Sequence, residues 1–245
     1  MGASVKKIAI LNRKGGVGKS TTAVHIAQGL AATGRSVILV DTDPQGNCAT
    51  MLGASYRYTL ADVLTGTVNA SESLIQARER LYLLPADSTL SDAAEVALNR
   101  PYDPQHVLSE KLQGLSADYV IIDTAPSLSR LTVNAVFYAD VVLVPISMSL
   151  LAMRGLVDVE EEMSVLQRHG AAPLRYIVPT MADGRKKLTD SVLDTLEGKY
   201  RGLVTDPIHY QARFDELDGE TIFEADPRGR GANDYAALVE RIAYE

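Results

Sequence analysis

Residues 12–22 of this chain, Asn12-Arg13-Lys14-Gly15-Gly16-Val17-Gly18-Lys19-Ser20-Thr21-Thr22, combine small, cationic and hydroxyl side chains at a spacing suited to phosphate chemistry. An apolar run, Ile8-Ala9-Ile10-Leu11, leads in, and a helical pattern from Ala23 to Leu30 leads out. In a strand–loop–helix of this kind, backbone N–H groups turn inward around an anion, and the helix N-terminus adds partial positive charge at the same point. Gly15, Gly16 and Gly18 permit the turn. Lys19 is spaced to reach β- and γ-phosphates, and the Ser20 hydroxyl to ligate Mg²⁺. The pattern G-x-x-x-x-G-K-[ST] calls for glycine at position 13, where Arg13 stands instead. A second lysine, Lys14, then opens the loop as a mobile cation beside the phosphates.

Carboxylates appear at two further places. The apolar run Ser36-Val37-Ile38-Leu39-Val40 ends on Asp41-Thr42-Asp43-Pro44-Gln45-Gly46-Asn47, and Tyr119-Val120-Ile121-Ile122 ends on Asp123-Thr124-Ala125-Pro126. Runs this apolar fit strands buried on both faces, hence a parallel sheet. Acids at the C-terminal ends of such strands lie where open α/β sheets bind ligands. Asp123 makes a Walker-B-type arrangement, able to hold Mg²⁺ directly or through water, and the loop Ser127-Leu128-Ser129-Arg130 is placed to sense a γ-phosphate.

The remaining elements must position these groups. Strands are expected at 5–11, 36–40, 81–85, 119–123, 139–146 and 175–179. Helices are expected at 20–33, 59–66, 88–99, 104–114, 152–169, 185–199 and 233–243. The run Asp158-Val159-Glu160-Glu161-Glu162 reads as a solvated helix face. Thr180-Met181-Ala182-Asp183 echoes a guanine-reading loop, but Met181 replaces the lysine that would flank the base. Arg185-Lys186-Lys187 opposes a helix dipole, a cost that an anionic partner would relieve. The whole reads as α/β: one domain over 1–245, with a mostly parallel central sheet and helices on both faces.

At 245 residues and 46% hydrophobic, the chain can bury a sizeable core. No apolar run approaches the roughly 20 residues of a membrane span, and the N-terminus lacks a signal peptide's apolar core. One cysteine, Cys48, excludes a disulfide framework and a cysteine-cluster metal site, so a cytoplasmic location is expected. Histidines 25, 106, 169 and 209 lack metal-ligand spacing and read as structural. The net charge is −7, yet residues 1–59 hold seven Lys/Arg against two Asp/Glu. DNA affinity would therefore come from a local patch and depend strongly on salt.

The stretches 14–22, 41–47 and 121–128 together resemble the ParA/Soj partition ATPases, within the ParA/MinD superfamily of P-loop proteins with a deviant Walker A motif. Looser likenesses at 179–183 and 226–232 extend the resemblance over nearly the whole chain. The resemblance implies ATP and Mg²⁺ as cofactors. Lys14 would be the signature lysine that reaches across an ATP-sandwich homodimer, which accounts for the loop's unusual start. Lys19 and Ser20 keep their phosphate and Mg²⁺ roles, and Lys14, Gly15, Gly16, Val17, Gly18, Lys19, Ser20, Thr21, Met181 and Pro207 make up the nucleotide-contacting set. Asp43 would be the switch aspartate that orients the attacking water, near the metal with Ser20 and Asp123, and Asp41 would support it from behind. Lys14, Lys19 and Asp43 form the catalytic set.

The resemblance further implies slow hydrolysis, stimulated by a cargo-bound, ParB-like adaptor. It implies non-specific DNA binding by the dimer at the nucleoid, with Arg185, Lys186, Lys187 and Arg213 as the candidate contacts. Ser20 stands where threonine is usual, and the stretch 146–154 departs from the chromosomal members. Two other readings share the fold. A MinD-like membrane-associated regulator needs a basic amphipathic C-terminal helix, which 233–245 does not supply. An ATP-dependent metabolic enzyme would turn over a small-molecule acceptor without DNA.

Overall fold

The computed structural model describes residues 5–185 and 187–244, with the backbone alone at 150, 151, 187 and 188. The described strands are β1 (Lys6–Ile10), β2 (Val37–Asp41), β3 (Ile75–Arg78), β4 (Leu81–Leu84), β5 (Tyr119–Asp123), β6 (Val141–Ser147) and β7 (Leu174–Thr180). They form one sheet in the order β3-β4-β2-β5-β1-β6-β7. Neighbours run parallel except β3 and β4, which pair antiparallel. The α/β architecture with a mostly parallel sheet and helices on both faces is thus as expected.

Alternation along the strands divides the core in two. Ala9, Ile38, Val40, Val120 and Ile122 enter one cluster, covered by helices that include Leu60–Thr65, Leu90–Leu98, Arg130–Tyr138 and Leu150–Gln167. Ile8, Ile10, Leu39 and Ile121 enter the other, covered by helices Lys19–Ala32 and Arg230–Tyr244. Burial on both faces is what makes these strands read as unbroken apolar runs.

Three expectations need correction. Strand β3 was not foreseen; it is four residues of mixed polarity at the sheet's edge, and its pairing with β4 supplies what its own pattern lacks. The final helix begins at Arg230 rather than 233. Gly231 lies inside it because a Cβ there would meet Phe214 at 2.9 Å and Ile222 at 3.1 Å, so the glycine serves a close approach rather than a turn. That helix buries Tyr235, Leu238, Val239 and Ile242 in the core, so its apolar face is already covered. The acidic run at 158–162 is not wholly solvated either: Glu162 pairs with Arg13 at 2.6 Å, and Glu160 with Lys199 at 3.0 Å.

No helix of the described residues is long and apolar enough to cross a membrane.

Candidate functional site

The phosphate loop is anchored before it is shaped. Asn12, buried at the end of β1, donates from Nδ2 to Pro145 O at 2.6 Å and accepts the Lys14 N–H on Oδ1 at 2.9 Å. From β7, the Thr180 hydroxyl donates to Val17 O at 2.9 Å. Between these ties the chain needs left-handed backbone at Gly16 (φ 69°) and Gly18 (φ 83°), conformations that glycine adopts without strain. Helix Lys19–Ala32 starts from Gly18 with no side-chain cap and no acid in its first turn. Its first N–H groups and the positive end of its dipole are therefore left for an anion.

The two lysines differ in setting. Lys19 is buried, with Nζ 3.2 Å from Lys14 O. Burial pushes its pKa down, against the pull of Asp123 and Asp43. Lys14 is exposed, and its ammonium has no partner among the described residues. Arg13, also exposed, is tied to Glu162 on helix Leu150–Gln167.

Facing the loop, the ends of three strands share a rung: Ile10 of β1 is in register with Asp123 of β5, and Asp123 with Asp41 of β2. The Thr42 hydroxyl donates to Asp123 O at 2.6 Å, and the Thr124 hydroxyl to Ile10 O at 2.7 Å, so the strand ends are laced together. Asp41 and Asp123 are fully buried and Asp43 is nearly so. Burial raises the pKa of both members of the Asp41–Asp123 pair, and each gains more from a neighbouring carboxylate. The nearby Ser20 hydroxyl, the Cys48 thiol and the charge of Lys19 hold Asp123 down against this. Asp41 accepts the N–H groups of Asp43 at 2.9 Å and Cys48 at 3.1 Å. Cys48 lies against Asp123, and burial pushes its thiol up. Asp123 Oδ1 is buried without a hydrogen-bond partner. An orphaned, buried carboxylate oxygen near a serine hydroxyl suits a hard divalent cation such as Mg²⁺. Beside this cluster a cleft of about 540 Å³ is lined in part by Thr42, Pro44, Leu90, Ser127 and Arg130.

The outlying candidates divide. Segments 179–182 and 207–209 run side by side, with Ile208 N donating to Pro179 O at 2.8 Å and Ala182 N to Ile208 O at 3.1 Å. Together with the Thr180 tie, this brings Met181, exposed at φ 54°, and Pro207 to the flank of the loop. Of the basic candidates, Arg185 pairs with Asp183 at 3.0 Å. Arg213 pairs with Glu216 at 3.1 Å and Glu220 at 3.5 Å, so its charge is already matched within the chain. Lys187 opens helix Lys187–Lys199, and Lys186 lies outside the described residues. The sequence reading passed over Asn12, Thr42, Thr124 and Thr180, all next to motif residues, and gave Cys48 no role at the cluster.

Comparison with known proteins bears on this arrangement. A family model described as an AAA domain matches residues 5–175. The chromosome partitioning protein ParA of Caulobacter vibrioides is 34% identical over 97% of this chain and 94% of its own. Among solved structures, the ATP complex of a McdA variant from Cyanothece superposes with a TM-score of 0.86 at 25% identity, covering 98% of this chain and 96% of that one. Cobyrinic acid a,c-diamide synthase from Mycobacterium smegmatis, bound to an ATP analogue and magnesium, gives a TM-score of 0.85 at 30% identity, covering 98% and 95%.

Proposed function

Because the chain belongs to the ParA/MinD family of P-loop ATPases, we propose that it is a nucleotide-driven positioning protein whose ATP-bound dimer binds DNA. Its cofactors are ATP and Mg²⁺. The observation that carries the reading is the contrast between the lysines: Lys19 is buried beside Asp43 and Asp123, whereas Lys14 is exposed at the loop's mouth, its ammonium without a partner among the described residues.

On this reading residues 1–245 work as one ATPase domain. The loop N–H groups from Gly15 to Thr21 and the Lys19 ammonium bind the β- and γ-phosphates. Ser20 and Asp123, with Asp43 nearby, hold Mg²⁺, which when bound neutralises phosphate charge. Asp43 orients the attacking water, and Asp41 holds the backbone of Asp43 in place. Lys14 reaches the phosphates of a second copy, so each site is completed only in the dimer. Met181 and Pro207 flank the nucleotide beyond the phosphates. Hydrolysis by the chain alone is slow and is accelerated by an adaptor on the cargo. DNA contact falls to the basic segment at 185–187, with Arg213 contributing only where its two acids release it. The protein then works in the cytoplasm, at the nucleoid.

The test is binding to arbitrary duplex DNA across a salt series, with and without ATP and Mg²⁺. Tight, salt-sensitive binding only with ATP is expected, weakened by joint substitution of Arg185, Lys186 and Lys187. Binding indifferent to ATP would overturn the reading. A second reading, an ATP-dependent ligase, draws support from the 30% identity to the cobyrinic acid a,c-diamide synthase structure. It requires turnover with a small-molecule acceptor in the absence of DNA and of any adaptor.

A further inference from the structure

We propose that Cys48 is a positioning residue for the cation site: its thiol holds one oxygen of Asp123 so that the other is presented to Mg²⁺. The inference rests on the reading of Asp123 as a Mg²⁺ ligand and deepens it.

Ligand-capable atoms of Asp41, Cys48 and Asp123 all lie within 4.8 Å of one another, and all three residues are buried. Cys48 Sγ donates to Asp123 Oδ2 at 3.5 Å, and Asp123 Oδ1 has no partner. A carboxylate gripped on one oxygen and bare on the other has a defined orientation, and the bare, buried oxygen is the one able to meet a cation. The S–H has carboxylates as its neighbours, so its one proton points at an acceptor.

The fold explains how the thiol comes to be there. The turn from β2 into helix Asn47–Met51 passes through Gly46 (φ 64°), where a Cβ would lie 2.5 Å from Ala86 O. Asp41 then clips both ends of the turn, taking the Asp43 N–H on Oδ1 and the Cys48 N–H on Oδ2. A single carboxylate thus fixes the backbone of the proposed switch aspartate and the backbone that carries the thiol. The thiol passes this constraint to Asp123 on the neighbouring strand.

The other role open to Cys48 is packing, since it also belongs to the apolar core under helix Lys19–Ala32. The experiment separates the two in the full chain with Cys48→Ala, Cys48→Ser and Asp123→Asn. It measures the Mg²⁺ concentration that half-saturates binding of a fluorescent ATP analogue, together with affinity for the same analogue in EDTA. Cys48→Ala is expected to raise the Mg²⁺ requirement about 10-fold. Cys48→Ser, which keeps a donor, is expected to stay near wild type, and affinity in EDTA to be unchanged in both. A wild-type Mg²⁺ requirement in Cys48→Ala, or equal effects in the alanine and serine variants, overturns the proposal. Asp123→Asn locates the failure: no effect there removes the cation assignment itself, whereas an effect there with none in Cys48→Ala removes only the role of Cys48. Should the alanine variant not fold, the S–H stretching band of the wild-type protein decides. The chain has one cysteine, so the band is unambiguous. It is expected to shift when Mg²⁺ is added with nucleotide, and a band that stays in place overturns the proposal.

Discussion

Asp41 and Asp123 stand opposite one another on the last rung shared by β2 and β5. Asp41 continues the parity of Val37 and Leu39, and Asp123 that of Tyr119 and Ile121, residues that enter the core under helix Lys19–Ala32. Strand alternation therefore turns both carboxylates toward the face that carries the phosphate loop. Two buried acids so close resist joint ionisation, and a lysine or a divalent cation is what relieves them. Lys19 is the lysine in place.

If Asp43 orients water without holding the dimer, Asp43→Ala abolishes hydrolysis and leaves ATP-dependent dimers intact. Sedimentation with ATP checks this, and a monomer would count against the role. Lys14→Ala, by contrast, is expected to lose the dimer, because the ammonium it removes has no partner among the described residues.

Replacing Lys19 by alanine removes the only cation buried between Asp43 and Asp123 among the described residues. ATP turnover is expected to fall at least about 100-fold, the scale for losing one charge-stabilising group at a reacting phosphate. Nucleotide titration should show weakened binding in step. Retained affinity would place the phosphates elsewhere.

His25 makes the fold acid-sensitive. Its Nε2 accepts the Ile222 N–H at 2.9 Å, and Nδ1 bonds to Thr21 O at 2.7 Å. Burial lowers its pKa from 6.5 to about 4. The neutral ring is the form the fold holds, so its contribution is fully present above pH 6.5 and is lost as pH falls toward about 4. At about 1.36 kcal/mol per pH unit the loss is on the order of 3 kcal/mol. Melting curves from pH 7 to 4 should show the decline, and His25→Gln should flatten it. An identical slope in the variant would assign the acid sensitivity to other groups.

Gly29 is where helix Lys19–Ala32 meets the final helix. A Cβ there would lie 2.6 Å from Val239 Cγ2 and 3.2 Å from Phe223. Gly29→Ala is expected to destabilise by about 1–3 kcal/mol through overpacking, despite alanine's better helix propensity. Urea denaturation measures it. A gain in stability would show that the helices can separate at low cost.

Much of this protein is legible before folding. Apolar runs ending on Asp41 and Asp123 announce buried parallel strands with acids at their C-terminal ends, because two covered faces leave no position for alternation. The glycines, lysines and hydroxyl of 14–20 announce a phosphate cradle, because few other uses need those types in that order. Boundaries were less legible: Gly231 reads as a helix breaker until Phe214, distant in sequence, is packed against it.

What the sequence by itself determined is therefore local: the loop, the strand ends, the helix that follows, and the family. Tertiary structure alone decided which groups meet. Strand order puts Asp41 beside Asp123, 82 positions apart in the chain, and returns Cys48 to the same rung through a turn clipped by Asp41. It also binds Arg13 to Glu162 and Arg213 to its own acids, while Lys14 has no partner among the described residues. No local pattern encodes these outcomes, because which side chains meet depends on sheet order, strand parity and helix docking, each set by the rest of the chain.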